Sequence, residues 1–382
     1  MTRILLSAGE ASGDMHAADL VKQLLTRDDE LEMYGMGGPL MAEAGGEILF
    51  DPTNMGTIGF VEALRSVRLM RRVLARLGEE MERRRPDVVV CIDFSGFNMK
   101  LAELAVRKNL PVVYYISPSA WAWGKGRAAK LAQLGVTVCA VYPFEADAYK
   151  EAGADVVFVG HPLVDRVKPT AAREDARQEL GITADQHLIA LLPGSREQEL
   201  KVLLRPMLEA AAIIYRQRPD TRFVLPVAHT LNVHAVKEYL PDKGAPLAVI
   251  EGRTYDMMNA ADAAIISMGT ATLEAALLGI PHVACYRISR TSYALVRRLT
   301  KVSHFALPNV VAGREIVPEL VQGDVTAQKL AAALLPLLEP KRREEMHAAL
   351  PQVKDALGEC DTGARVADII LSKVRPEAAQ MV

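Results

Sequence analysis

Residues 88–93 read VVVCID, five consecutive apolar residues from Val88 to Ile92 that end on the carboxylate of Asp93. A sheet strand with one wet face alternates apolar and polar residues. A run apolar on both faces suits a parallel strand covered by helices on each side. Ile4 to Ser7, Val112 to Ile116, Val136 to Val141 and Val156 to Val159 repeat the pattern, with helical stretches between them. The first half of the chain therefore reads as a doubly wound α/β unit.

Outward from there, Arg166 to Gln178 carries charge, a proline and small residues without strand character, and reads as an interdomain link. A second series follows: Leu188 to Leu192, Arg222 to Val227, Leu247 to Ile250, Ala263 to Ile266 and His282 to Cys285. The spacing predicts two α/β domains, residues 1–170 and 171–345, with a ligand cleft between them. A helical C-terminus over 346–382 crosses back onto the first domain or reaches another subunit.

The totals agree with a folded enzyme-sized chain. Its 382 residues are 50% hydrophobic and 24% charged, which excludes a disordered protein. Lys and Arg number 45 against 47 Asp and Glu, a balance that argues against nucleic acid as a partner. The four cysteines form no CxxC pair, so neither a disulfide framework nor a zinc site is expected. The first strand begins at once, with no secretory leader pattern, and the longest uncharged run, Asn109 to Gly124, is broken by Pro111 and Pro118. A cytoplasmic location is expected.

Chemistry-bearing residues gather at strand ends. Asp93 stands at the carboxyl edge of a parallel sheet, where a partly desolvated carboxylate can accept a proton from a substrate hydroxyl; the alternative is a cap for a helix beginning near Asn98. GEASGD, residues 9–14, follows the first strand and offers Glu10, Ser12, Asp14 and exposed amides to a phosphate or sugar, or else forms a turn and helix cap. It is not GxGxxG, so a dinucleotide cofactor is not indicated. PGSR, residues 193–196, opens a second helix, where Gly194 and Ser195 can present amides to a diphosphate and Arg196 a bidentate cation. SMGTATLE turns through Gly269 and Thr270 into a helix carrying Glu274, which can receive both hydroxyls of a ribose or serve only as a first-turn acid. His161 in GHPLVD is a further cleft candidate. No Asp-x-Asp, HExxH or tight His cluster occurs, so the expected metal and cofactor are none.

Amphiphilic segments point to a lipid. Phe60, Val61, Leu64, Val67 and Met70 lead an apolar stripe that continues to Met81 beside Arg65, Arg68, Arg71, Arg72 and Arg76. Such a helix can dock on an anionic membrane or face the core with a solvated basic side. Arg287 opens a second basic and aromatic segment reaching Lys301, and Trp121 and Trp123 can meet acyl chains or a sugar, or pack between domains.

GEASGD, IDFSGFN, YYISPSAWAW, GHPLVD, LLPGSR and LPNVVAGREIVPEL occur in this order over almost the whole chain. Together they resemble the lipid-A-disaccharide synthase family. The resemblance implies a GT-B type glycosyltransferase of two Rossmann-like domains at the cytoplasmic face of the bacterial inner membrane. It implies inverting transfer from UDP-2,3-diacylglucosamine to 2,3-diacylglucosamine 1-phosphate, giving a β-1,6-linked disaccharide and UDP. Asp93 then becomes the base for the acceptor's 6-hydroxyl, Arg196 a diphosphate ligand, Glu274 a nucleoside ligand and Asn309 a further site residue. A homodimer with exchanged C-terminal parts is also implied. Where relatives read IDAPDFN, this chain has Gly96 in place of the second acid, which puts a two-carboxylate mechanism in doubt. A UDP-sugar 2-epimerase and a non-catalytic lipid or nucleotide carrier are the competing readings.

Overall fold

The structure is a computed structural model that describes residues 1–52, 60–118, 125–228, 230–241, 244–288, 293 and 303–374. It divides into two compact units, Met1–Pro162 with Gly358–Val382, and Leu163–Leu357.

The first unit holds seven strands: β1 (Arg3–Ala8), β2 (Glu32–Met36), β3 (Glu47–Phe50), β4 (Val88–Ile92), β5 (Val112–Tyr115), β6 (Thr137–Ala140) and β7 (Asp155–Phe158). All pair in parallel, in the order β3-β2-β1-β4-β5-β6-β7. The helices are α1 (Glu10–Leu25), α2 (Pro39–Glu43), α3 (Phe60–Arg84) and α4 (Ser95–Arg107), followed by Lys125–Gln133 and Pro143–Glu151.

Both faces of this sheet are covered, as the unbroken apolar runs require. Ile4, Leu6, Val88, Val90 and Ile92 pack under Leu20, Val21 and Leu24 of α1. Leu5, Val89, Cys91 and Tyr114 face the other way onto Val73, Leu77 and Met81 of α3. Each such side chain contributes about 1.5–3 kcal/mol on burial, so neither layer can be removed without loss of the sheet.

The helix Thr362–Val374 lays Val366, Ala367 and Ile370 into the α1 layer, and Arg27, just past the end of α1, bonds Ala364 O at 3.1 Å and pairs with Asp368. The C-terminal segment belonging to this unit begins at Gly358, later than the 346 expected from the sequence.

The second unit repeats the plan with β8 (His187–Leu192), β9 (Thr221–Val227), β10 (Leu247–Glu251), β11 (Ala263–Ser267), β12 (His282–Tyr286) and β13 (Glu319–Val321). These are also parallel, in the order β10-β9-β8-β11-β12-β13. The stretch read as a link is part of this unit: Leu163–Arg166 and Arg173–Glu179 are helices, and Thr170 N and Oγ1 bond the Asp256 carboxylate at 2.6 and 2.8 Å. The division therefore falls after Pro162 rather than residue 170.

Three strands escape a search for apolar runs. β2 contains Gly35, where any side chain would overlap the carbonyl oxygen of Leu6, so close strand approach replaced an apolar residue. β3 and β13 are short edge strands, each beginning on a Glu.

In both sheets the strand order reverses once, between β1 and β4 and between β8 and β11. Ligands of open α/β sheets bind outside the carboxyl ends at such reversals. GEASGD and Asp93 follow β1 and β4; PGSR and SMGT follow β8 and β11.

Candidate active site

Backbone strain concentrates at the reversal in the first unit. Glu10 after β1, Asp93 and Phe94 after β4, and Ile116 after β5 all have left-handed φ, at 59°, 49°, 44° and 54°. L-residues avoid this region, a β-branched one most of all, and surrounding structure must impose it. At Asp93 the imposing contacts are visible. Its amide donates to Tyr115 O at 3.0 Å, and its carbonyl accepts from Asn98 Nδ2 at 2.8 Å and Tyr114 Oη at 3.1 Å. Buried Asn98 also donates to Ser7 O and Ile92 O, each at 3.1 Å, and accepts from Ser7 Oγ at 2.6 Å. The β1 and β4 ends are thereby tied together with the Asp93 main chain between them.

Phe94 holds the cap position of α4, and its amide bonds the Asp93 carboxylate. Burial pushes its pKa up, the Phe94 amide partly offsets this, and nearby Glu10 adds to the rise. A carboxylate raised in this way is a stronger general base.

The GEASGD residues take different roles. Gly9 is required by packing, because a Cβ there would overlap the Phe94 ring. Glu10 and Ser12 are exposed on the first turn of α1. Asp14 is buried and accepts from the amides of Gly38, Leu40 and Met41 at 2.7, 3.0 and 3.0 Å, fixing the start of α2. It is a structural acceptor rather than a sugar contact or the α1 cap. His161 is likewise buried, with Nε2 3.1 Å from Tyr142 Oη, and burial drives its pKa down to about 3, so it stays neutral.

In the second unit, PGSR leaves β8 through Gly194 at φ 119°. Of the Gly194 and Ser195 amides expected to face a diphosphate, that of Ser195 donates instead to Glu199 Oε2 at 2.9 Å; the Arg196 amide points at the same oxygen at 3.4 Å, and Glu199 Oε1 takes Arg196 Nη1 at 3.1 Å. Thr230 Oγ1, beyond β9, donates to Ser195 O at 2.7 Å. The loop is braced from both sides, and the Arg196 guanidinium, paired with Glu199 through one nitrogen, remains largely exposed.

SMGT contrasts with PGSR at its glycine. Gly269 has extended backbone, and a Cβ there would meet nothing within 4 Å. Neither conformation nor packing requires glycine here, which leaves open room at the start of the helix Thr270–Leu277. One turn on, Glu274 accepts from Tyr255 Oη at 3.2 Å. Burial raises its pKa, while the Tyr255 bond and the charge of Arg166 lower it. This is a half-satisfied, sheltered carboxylate suited to paired hydroxyls.

Asn309 is fully buried, donating to Val317 O at 2.8 Å and Glu319 Oε1 at 2.7 Å and accepting from the Ile316 and Val317 amides at 2.7 and 2.9 Å. With every polar atom engaged it positions the chain before β13 and has no group left for a ligand. Arg287, exposed after β12, lines a hollow of about 190 Å³ with Tyr293 and Gln322.

The lipid candidates divide too. Val67 is 51% exposed beside exposed Arg68, Arg71 and Arg72, whereas Met70 packs on the core with Val73 and Leu77, so the stripe beyond Val67 is core-facing. Phe60, Val61 and Leu64 lie in α3 with side chains outside the described set, and Trp121 and Trp123 lie outside the described residues.

Sequence patterns missed Asn98, Glu199, Thr230 and Tyr255. Of these Asn98 had a signal, a polar residue at an apolar helix position behind a strand-end carboxylate. Among the described residues no three His, Cys, Asp or Glu converge to hold a metal ion, and no helix is long and apolar enough to cross a membrane.

Known proteins resemble this chain in sequence and in fold. A lipid-A-disaccharide synthase of Geobacter sulfurreducens is 40% identical over 370 residues, 97% of this chain and 96% of that one. Among solved structures, the UDP-GlcNAc 2-epimerase of Neisseria meningitidis, bound to UDP-GlcNAc, superposes with a TM-score of 0.66 at 13% identity, covering 97% of this chain and all of that one. A calicheamicin glycosyltransferase gives 0.62 at 16% over 99% of both chains. At such identities these structures establish the two-domain glycosyltransferase fold alone. The profile of the lipid-A-disaccharide synthetase family matches residues 4–367, and the chain belongs to that family.

Proposed function

We propose that this chain transfers 2,3-diacylglucosamine from UDP-2,3-diacylglucosamine to 2,3-diacylglucosamine 1-phosphate with inversion at the anomeric carbon. The observation that carries the chemistry is Asp93, a carboxylate of raised pKa on a clamped main chain at the strand-order reversal. It takes the proton of the acceptor's 6-hydroxyl as the oxygen attacks, and the bond to the UDP oxygen breaks. Arg196 stabilises the departing diphosphate, and Glu274 receives the ribose hydroxyls. Gly96 carries no carboxylate and is open on its Cβ side, so one base serves.

The donor's charge is met by the Arg196 guanidinium rather than a metal, so turnover persists in excess chelator. Loss of activity restored by one added metal would contradict this. The epimerase reading shares the fold with the Neisseria enzyme but needs no acceptor.

The protein works at the cytoplasmic face of the bacterial inner membrane in this reading, with Val67 and the exposed arginines of α3 as the contact. A homodimer in which the helix Thr362–Val374 docks on α1 of the other copy belongs to the same reading. Light scattering that returns a monomer would remove it. The assay that tests the function is incubation of the protein with both substrates and mass detection of the disaccharide. Isomerised donor formed without acceptor would instead favour the epimerase.

A further inference from the structure

The PGSR loop carries its own anion. Glu199 Oε2 accepts from Ser195 N at 2.9 Å and Oε1 accepts from Arg196 Nη1 at 3.1 Å, while its stem fills the space beside Gly194. Any Cβ at Gly194 would overlap this carboxylate, so the left-handed turn and the acid are fitted to each other. The side chain is only 23% exposed, although Arg196 is 72% exposed. A sheltered carboxylate thus holds one nitrogen of a guanidinium whose remaining nitrogens face outward.

From this geometry we infer that Glu199 is a positioning residue for UDP binding: it fixes the loop and aims Arg196, and is not a competitor that the diphosphate displaces. The inference rests on the reading of Arg196 as the diphosphate ligand. An Arg side chain held through one nitrogen loses little rotamer freedom when its others bind an anion, whereas an unheld one must be ordered on binding. A competitor would behave oppositely, since removing its charge would strengthen the site for an anion.

The experiment is a double-mutant cycle read by UDP binding in calorimetry and by donor KM against kcat. Glu199→Ala is expected to weaken UDP roughly tenfold, with donor KM rising more than kcat falls. Glu199→Gln keeps the shape and an acceptor oxygen and is expected to retain most of the affinity even if the alanine variant is poorly folded. In an Arg196→Ala background, Glu199→Ala should add almost nothing. UDP binding that is unchanged or tighter in a folded Glu199→Ala, binding that is tighter in Glu199→Gln, or effects that simply add, would overturn the inference. Arg196→Ala binding UDP like the parent would instead sink the underlying assignment of Arg196.

Discussion

The side-chain nitrogen of Asn98 donates to the main-chain carbonyl of Asp93 at 2.8 Å, while the same amide group bonds the ends of β1 and β4. One buried residue therefore sets the backbone from which the candidate base projects. Asn98→Ala strands the Ser7 hydroxyl and up to three carbonyls, which should cost about 2–4 kcal/mol by denaturant unfolding. Turnover should fall at least tenfold in material that is still folded, because a base displaced by a fraction of an ångström loses its alignment. A neutral result on both counts would show that Asn98 does not set this geometry.

The two loop glycines of the second unit should separate stability from binding. Gly194→Ala meets both a φ of 119° and the Glu199 side chain, so it should be destabilised by more than about 1 kcal/mol. Gly269→Ala meets neither. It should keep its melting temperature within about 2 °C while raising donor KM several-fold, by filling room the ligand uses. Unchanged KM would return Gly269 to a plain turn.

Asp93 and Glu274 both have pKa values raised by burial. The folded-state value exceeds the unfolded one, so each contributes most to stability below the ordinary carboxylate range and loses that contribution as pH rises through its folded value. Asp93→Asn and Glu274→Gln should therefore be more stable than the parent near pH 8, with the gain disappearing near pH 4, as thermal scans at both pH values would show. A variant destabilised at both would mean the carboxylate is a structural partner.

Histidine burial has the opposite consequence. His161 and His282 are pushed down to about 3 and about 4. Below the unfolded value near 6.5 the unfolded chain takes protons that the folded one refuses. Stability present above that pH should fall on acidification at up to about 1.4 kcal/mol per pH unit for each histidine. His282→Asn should flatten this slope, and an unchanged slope would place the acid sensitivity elsewhere.

Much of this architecture is legible in the sequence because buried parallel strands are read directly from unbroken apolar runs such as 88–92. The strand pattern likewise places Asp93, Arg196 and Glu274 in the stretches that follow β4, β8 and β11. What such patterns lack is the direction of a side chain. Asp14 and Asn309 look like ligands in a motif yet turn inward to hold amides, and Glu199 looks like an ordinary helical acid yet closes the PGSR loop. Hydrogen-bond partners distant in the chain decide these cases, as between Asn98 and Ser7 or Thr170 and Asp256.

Helix α3 gives a test of membrane contact by neighbours with different surroundings. Val67→Ser should weaken binding to anionic liposomes without changing stability, because Val67 is exposed. Met70→Ser should instead lower the unfolding free energy by about 1–3 kcal/mol, since Met70 packs on the core. Liposome binding unaffected by Val67→Ser would remove this face as the contact.

The central claim is that Asp93 is the base for the acceptor hydroxyl. The most direct measurement is kcat of Asp93→Asn with UDP-2,3-diacylglucosamine and 2,3-diacylglucosamine 1-phosphate, alongside its UDP affinity. The account predicts a loss of about 10²–10⁴-fold in kcat, with UDP binding and fold intact. Turnover within about threefold of the parent, a difference well under 1 kcal/mol, would contradict it.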